Sequence, residues 1–166
     1  GDSEARMVIV EREMEPLWQA AVALLETVPE AIWIDAVDTF EARVASSPAT
    51  RPDVAISEDD TAFQLYTSGT TGKSKGVMLS HGNIVSNVQA TAAVFPLRPS
   101  DRVLSVMPLA HTLESTMGLL TPLFQGCSIF YLDRPPTAPV LASALLVVRP
   151  TIMVIVPLII EKLYRA

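Results

Sequence analysis

The chain has 166 residues, 49 % of them apolar, and a positive mean hydropathy, enough for one domain with a sizeable core and short for two. Within a net charge of −6, residues 1–60 carry 14 acids against 4 bases and residues 61–166 carry 4 against 8; no basic run occurs, which argues against nucleic acid as a partner. A single cysteine, Cys127, excludes an internal disulfide or thiolate metal site and makes a reducing, cytoplasmic setting the expectation, with peripheral attachment to a membrane left open.

Residues 7–10 read as a short apolar strand. Residues 11–27 carry Leu17, Ala21, Leu24 and Leu25 at helical spacing. A second strand is predicted over 31–34, and a second helix over 37–45 with Val37, Phe40 and Val44 inward. Residues 46–60, rich in Pro, Ser and Asp, read as a connector. A strand over 61–66 feeds a Gly-rich stretch, 77–79 is extended after it, and Ser80 to Asn83 opens a helix that continues over 84–94. Thereafter strands over 102–107, 127–132 and 151–156 alternate with helices over 113–124, 138–148 and 157–164, the last opened by Pro157.

Such alternation means βαβ units. The expected class is α/β: a doubly wound, mainly parallel sheet flanked by helices, with the first β/α units in 1–45, a connector in 46–60 and the loop-bearing units in 61–166. Gly1 and Ala166 read as cut ends, so the chain is expected to be a piece of a larger domain and to self-associate through exposed apolar surface. The most membrane-like window, 137–160, is interrupted by Arg149, Pro150 and Pro157, and no transmembrane segment is expected. Cys127 lies in an apolar run and reads as a buried core thiol.

The informative stretch is 66–76, Tyr-Thr-Ser-Gly-Thr-Thr-Gly-Lys-Ser-Lys-Gly. Four of the seven glycines (Gly69, Gly72, Gly76 and Gly82) fall within fourteen positions here. Little bulk, many backbone N–H groups, several hydroxyls and two lysines suit a polyphosphate. A Walker A loop would need Gly where Thr67 stands and a helix straight after Ser74. The pattern Gly-x-Ser-x-Gly over 72–76 lacks the strand-to-helix setting of a nucleophile elbow. In open α/β sheets ligands bind at the carboxyl ends of strands, which is where this stretch lies.

The same stretch resembles the phosphate-loop signature of the adenylate-forming enzymes, with Ser74 in place of the usual Pro. A second block, Met107 to Glu114, is similar to the Pro-Leu-x-His-x-x-Glu block of long-chain acyl-CoA synthetases, and 149–162 looks like a further segment of theirs. The resemblance covers 58–166 well and 1–57 only by order of elements. It implies ATP and Mg²⁺ as cofactors, fatty acid and CoA as substrates of the parent enzyme, and an acyl-adenylate followed by a thioester.

It assigns the leaving phosphates to Thr67, Ser68, Gly69, Thr70, Thr71 and Gly72, with Lys75 as the cation and Lys73 toward solvent. His111 and Glu114 become substrate-side candidates. Taken alone, His111 reads as an ordinary core or surface histidine, and its place past a strand's carboxyl end in the resembling block sets a substrate-side role beside that; Glu114 reads equally as an exposed charge, and His81 as structural. The family's later adenine, ribose and catalytic-Lys blocks are absent from these residues, so no catalytic residue is assigned and the isolated chain is expected to be inactive. A fatty acyl-AMP ligase loading a carrier protein, or a non-catalytic nucleotide-binding module, are the alternatives.

Overall fold

The computed structural model describes residues 3–34, 40–67 and 74–164. The chain forms two compact units, Gly1–Ala55 and Ile56–Ala166. In the first, β1 (Met7–Glu11) pairs in parallel with β2 (Glu30–Ile34), Met7 opposite Glu30 and Glu11 opposite Ile34. The predicted helix starts late and ends early. Residues Arg12–Met14 form a 3₁₀ turn, because Pro16 has no N–H to offer the Arg12 carbonyl and the Glu15 N–H bonds it instead. Helix α1 then runs Glu15–Val22 and closes with tight bonds from Leu24 N–H to Ala21 O and Leu25 N–H to Val22 O. The β-branched Thr27 and Val28 ahead of Pro29 disfavour a further turn.

Helix α2 (Phe40–Ser46) is joined to β2 by an Arg43–Glu30 ion pair at 2.6 Å. Both partners are half exposed, so the pair contributes little. The inward placement expected for Phe40 and Val44 does not hold: both are exposed, and a two-stranded sheet has too little apolar surface to cover them. Val37, assigned to the same face, lies outside the described residues.

In the second unit the sheet is not continuous. Strands β3 (Thr61–Thr67) and β4 (Lys75–Ser80) form an antiparallel hairpin, an exception to the parallel pattern. Ser80 then caps α3 (His81–Val94): its Oγ accepts from the Asn83 N–H, and the Asn83 side chain accepts from the Ser80 N–H.

The parallel sheet proper has the order β6-β5-β7, with β5 (Arg102–Ser105) between β6 (Ser128–Tyr131) and β7 (Ile152–Met153). The expected α/β class with parallel sheets and flanking helices is what the chain adopts, although its strands fall into three separate sheets. Helix α4 (Thr121–Phe124) precedes β6, α5 (Ala138–Val148) connects β6 to β7, and α6 (Pro157–Tyr164) follows. Arg149 ends α5 in the left-handed conformation (φ 47°), and the Arg102 guanidinium donates to the Val148 and Arg149 carbonyls, neutralising the helix end. No described helix is long and apolar enough to cross a membrane.

The core of this unit is Leu104, Val106, Met107 and Leu141, flanked by Leu145, Val148 and Ile159. Leu104 and Leu141 are sealed from solvent, whereas Leu146 on the same helix is 77 % exposed. Leu104→Ala is therefore expected to cost about 2–5 kcal/mol and Leu146→Ala under about 0.5 kcal/mol. Urea melts followed by far-UV circular dichroism check the contrast.

Candidate functional site

The chain passes from β5 to β6 on one side and from β6 across to β7 on the other, so the strand order reverses at β5. The carboxyl end of β5 is thus the topological switch point, where open α/β sheets take their ligands. Alternation along β5 sends Leu104 into the core with Leu141 and sends Ser105 to the opposite face. There Ser105 meets Glu114, the first residue of a π-helical segment, Glu114–Leu120, within a longer helix. The wider turn is visible in the bond from Thr121 N–H to Thr116 O.

Glu114 is fully buried, so the reading of it as an exposed charge is overturned. Its Oε1 accepts from the Ser105 hydroxyl at 2.5 Å, while Oε2 has no partner among the described residues. An unsatisfied buried polar atom costs roughly 1–3 kcal/mol. Gly118 makes the room: a Cβ there would overlap Oε1 and lie 2.6 Å from the carboxyl carbon. Burial pushes the carboxyl above its ordinary value, against the pull of the Ser105 hydroxyl, the His111 imidazole and the Val106 amide.

His111 sits on the turn between β5 and that helix and is exposed. Its N–H donates to Pro108 O at 2.9 Å, and its Nδ1 accepts from the Leu113 N–H at 3.3 Å. With Nδ1 accepting, the neutral ring carries its proton on Nε2, which is left as a donor.

Of the phosphate-loop residues, Thr67 and Lys75 are described and are cross-strand partners at the exposed end of the β3–β4 hairpin. Ser68, Gly69, Thr70, Thr71, Gly72 and Lys73 lie outside the described residues. Gly76 permits the close approach of Gln64, whose Nε2 would lie 2.6 Å from a Cβ. The hairpin (Phe63, Leu79), α3 (Ile84) and the helix after His111 (Thr112, Thr116) border one cavity of about 100 Å³. Of the two stretches singled out in the sequence, only Thr112 reaches this cavity; Thr67, Lys75, His111 and Glu114 do not line it. A larger groove of about 550 Å³ in the first unit, lined by Leu17 and Trp18 with Glu11 its sole charged residue, holds none of the candidates.

Cys127 is a buried thiol: Sγ donates to Arg98 O, and burial together with Asp101 pushes it up. Among the described residues no three His, Cys, Asp or Glu side chains gather as metal ligands. Sequence reasoning missed Ser105 and Gly118. Each is a local inconsistency, a polar residue in an apolar strand and a glycine inside a helical pattern, and that was the available signal.

The family profile of AMP-binding enzymes matches residues 1–166. The long-chain-fatty-acid–CoA ligase FadD15 of Mycobacterium tuberculosis is 32 % identical over 166 residues, covering 99 % of this chain and 27 % of that protein. Among solved structures, the inhibitor-bound N-terminal domain of FACL13 from Mycobacterium tuberculosis superposes with a TM-score of 0.85 at 27 % identity, over 99 % of this chain and 41 % of that one. ATP-bound MatB from Rhodopseudomonas palustris gives 0.82 at 25 % identity, over 99 % and 32 %. The chain thus spans about a quarter of the length of its M. tuberculosis relative.

The raised carboxyl of Glu114 has a signed consequence. Above the ordinary value of 4.5 the unfolded chain has released a proton that the folded chain still holds. Stability contributed by this group therefore falls as pH rises through that window, and is fully present only below it. Glu114→Gln cannot ionise, so in urea melts its stability relative to wild type should improve as pH rises above 4.5 and level off once the folded carboxyl has ionised. Gly118→Ala should instead lose about 1–3 kcal/mol by overpacking.

Proposed function

This chain belongs to the AMP-binding enzyme family, and we propose that it is the phosphate-gripping part of an ATP-dependent long-chain fatty acid–CoA ligase. The observation that carries the reading is the likeness to a long-chain-fatty-acid–CoA ligase along the whole chain. The ATP-bound structural neighbour supports ATP as the nucleotide. In this reading a fatty-acid carboxylate oxygen forms a bond to the α-phosphorus. The bond from that phosphorus to the bridging oxygen breaks, and pyrophosphate leaves with the electron pair. The CoA thiol then attacks the acyl carbon, loses its proton, and displaces AMP.

The work of this chain is to hold the leaving charge. Backbone N–H groups and hydroxyls of residues 67–72 supply donors, and Lys75, held opposite Thr67 by strand pairing, supplies the cation. Mg²⁺, when bound, would share the neutralisation of the leaving phosphates with Lys75. His111, on the turn at the switch point with Nε2–H as donor, would act on the acyl side of the reaction in this reading. The adenine, ribose and catalytic-Lys elements lie outside these residues, and the 166-residue chain alone forms no acyl-CoA.

If this is right, replacing Thr70 and Thr71 together by Ala in the whole ligase should slow adenylation far more than it weakens fatty-acid binding. Loss of one preorganised donor typically costs on the order of 3 kcal/mol, roughly a hundredfold in rate. Lys75→Ala should behave similarly and Lys73→Ala should do little. Thioester formation from preformed acyl-adenylate should be largely spared, since no pyrophosphate is then present. ATP–pyrophosphate exchange and the isolated second half-reaction, measured separately, decide it. Equal damage to both would remove the pyrophosphate role from the loop.

A further inference from the structure

The side chain of Glu114 spans the gap between two elements that the chain otherwise links only through residues 106–113. One oxygen takes the Ser105 hydroxyl at the last position of β5, and the Val106 amide acts on the same carboxyl. Its backbone starts the π-helical segment. The turn so closed contains His111, whose N–H, Nδ1 and carbonyl bond Pro108 O, Leu113 N–H and Ser115 N–H respectively. Gly118 is shaped to receive the carboxyl. An apolar side chain of the same size would fill the niche without an unpartnered oxygen. What it would lack is the acceptor that holds the end of β5. Among the described residues, His111 is the titratable group whose field reaches Glu114; Arg102, at the start of β5, bonds the end of α5 instead.

We infer that Glu114 is a positioning residue for His111: its carboxyl ties the exit of β5 to the first turn of the π-helical segment and so fixes the turn that presents the imidazole with its proton on Nε2. That this matters for the acyl-side step rests on the ligase reading above; the geometry itself does not.

The chain has only two histidines, His81 and His111, so ¹⁵N-labelled imidazoles can be read one by one by NMR in the 166-residue chain. Wild type should show His111 in the Nε2–H form. Glu114→Ala and Ser105→Ala should each abolish that preference while His81, capped into α3, keeps its signals. Glu114→Gln, which retains an acceptor for Ser105, should preserve it. Should Glu114→Ala fail to fold, Ser105→Ala decides alone. Unchanged His111 signals in a folded Ser105→Ala or Glu114→Ala chain would overturn the inference.

In the whole ligase, Glu114→Ala should lower the adenylation kcat by roughly tenfold to a hundredfold, the scale of a small misplacement, with the KM for ATP unchanged. Combined with His111→Ala it should add nothing further, because both act through one imidazole. Additive losses would contradict it. A wild-type ligase that forms no acyl-adenylate would instead defeat the functional reading and leave the NMR result standing.

Discussion

β5 is covered on both faces, and the second unit depends on that. Leu104 packs against Leu141 and its neighbours on α5, while Ser105 on the other face is engaged by Glu114. A strand of four residues has too few ladder bonds to be stable alone. It is held by helices on both sides, and by Arg102 bonding the end of α5 at one extremity and Ser105 bonding Glu114 at the other. The chemistry of the two faces differs. One is apolar and set by volume. The other is polar and set by a single acceptor, so it specifies register and angle where the apolar face supplies most of the stability.

The π-helical segment follows from the same constraint. An α-helix with Glu114 facing the sheet would bring its next turn over the carboxyl. Gly118 removes the side chain that would collide, at a cost of about 1 kcal/mol relative to Ala in an ordinary helix. The wider turn and the glycine are two solutions to one packing problem. Both sit beside the strand end at which ligands enter folds of this kind.

Much of this architecture was legible, because its signals are local. Ser80 with Asn83 three residues on specifies a helix start by side-chain bonding to backbone, and Pro157 does so by its fixed φ. The alternation from β5 to α6 followed from periodicity. What periodicity cannot report is what lies across the gap. Glu114 has the spacing of a residue that shares a face with His111, yet it is buried against Ser105 while His111 is exposed. Phe40 and Val44 have the spacing of a buried stripe, yet among the described residues both stay exposed. The hairpin of β3 and β4 was missed as a pairing because a glycine-rich connection of several residues carries no short turn signature. The cross-strand pairing of Thr67 with Lys75 was not legible either.

Three acidic residues of the second unit, Asp101, Glu114 and Asp133, are engaged locally or buried. Asp101 accepts from the Arg98 N–H and the Thr151 hydroxyl, which hold it below the usual carboxylate range. Asp133 lies beside Arg134. Glu114 is buried, and desolvation disfavours its charged form. Among the described residues Lys75 enters none of the ion pairs, which join Arg12 to Glu15, Arg43 to Glu30 and Arg134 to Asp133. Among the described residues, none of these three acids forms an ion pair with Lys75 at the hairpin end. In the proposed reading, a phosphate arriving there would meet a cation whose backbone position is set by strand pairing. Preorganised donors act most strongly on a leaving group where their charge is not engaged by a neighbouring carboxylate, and among the described residues Lys75 meets that condition.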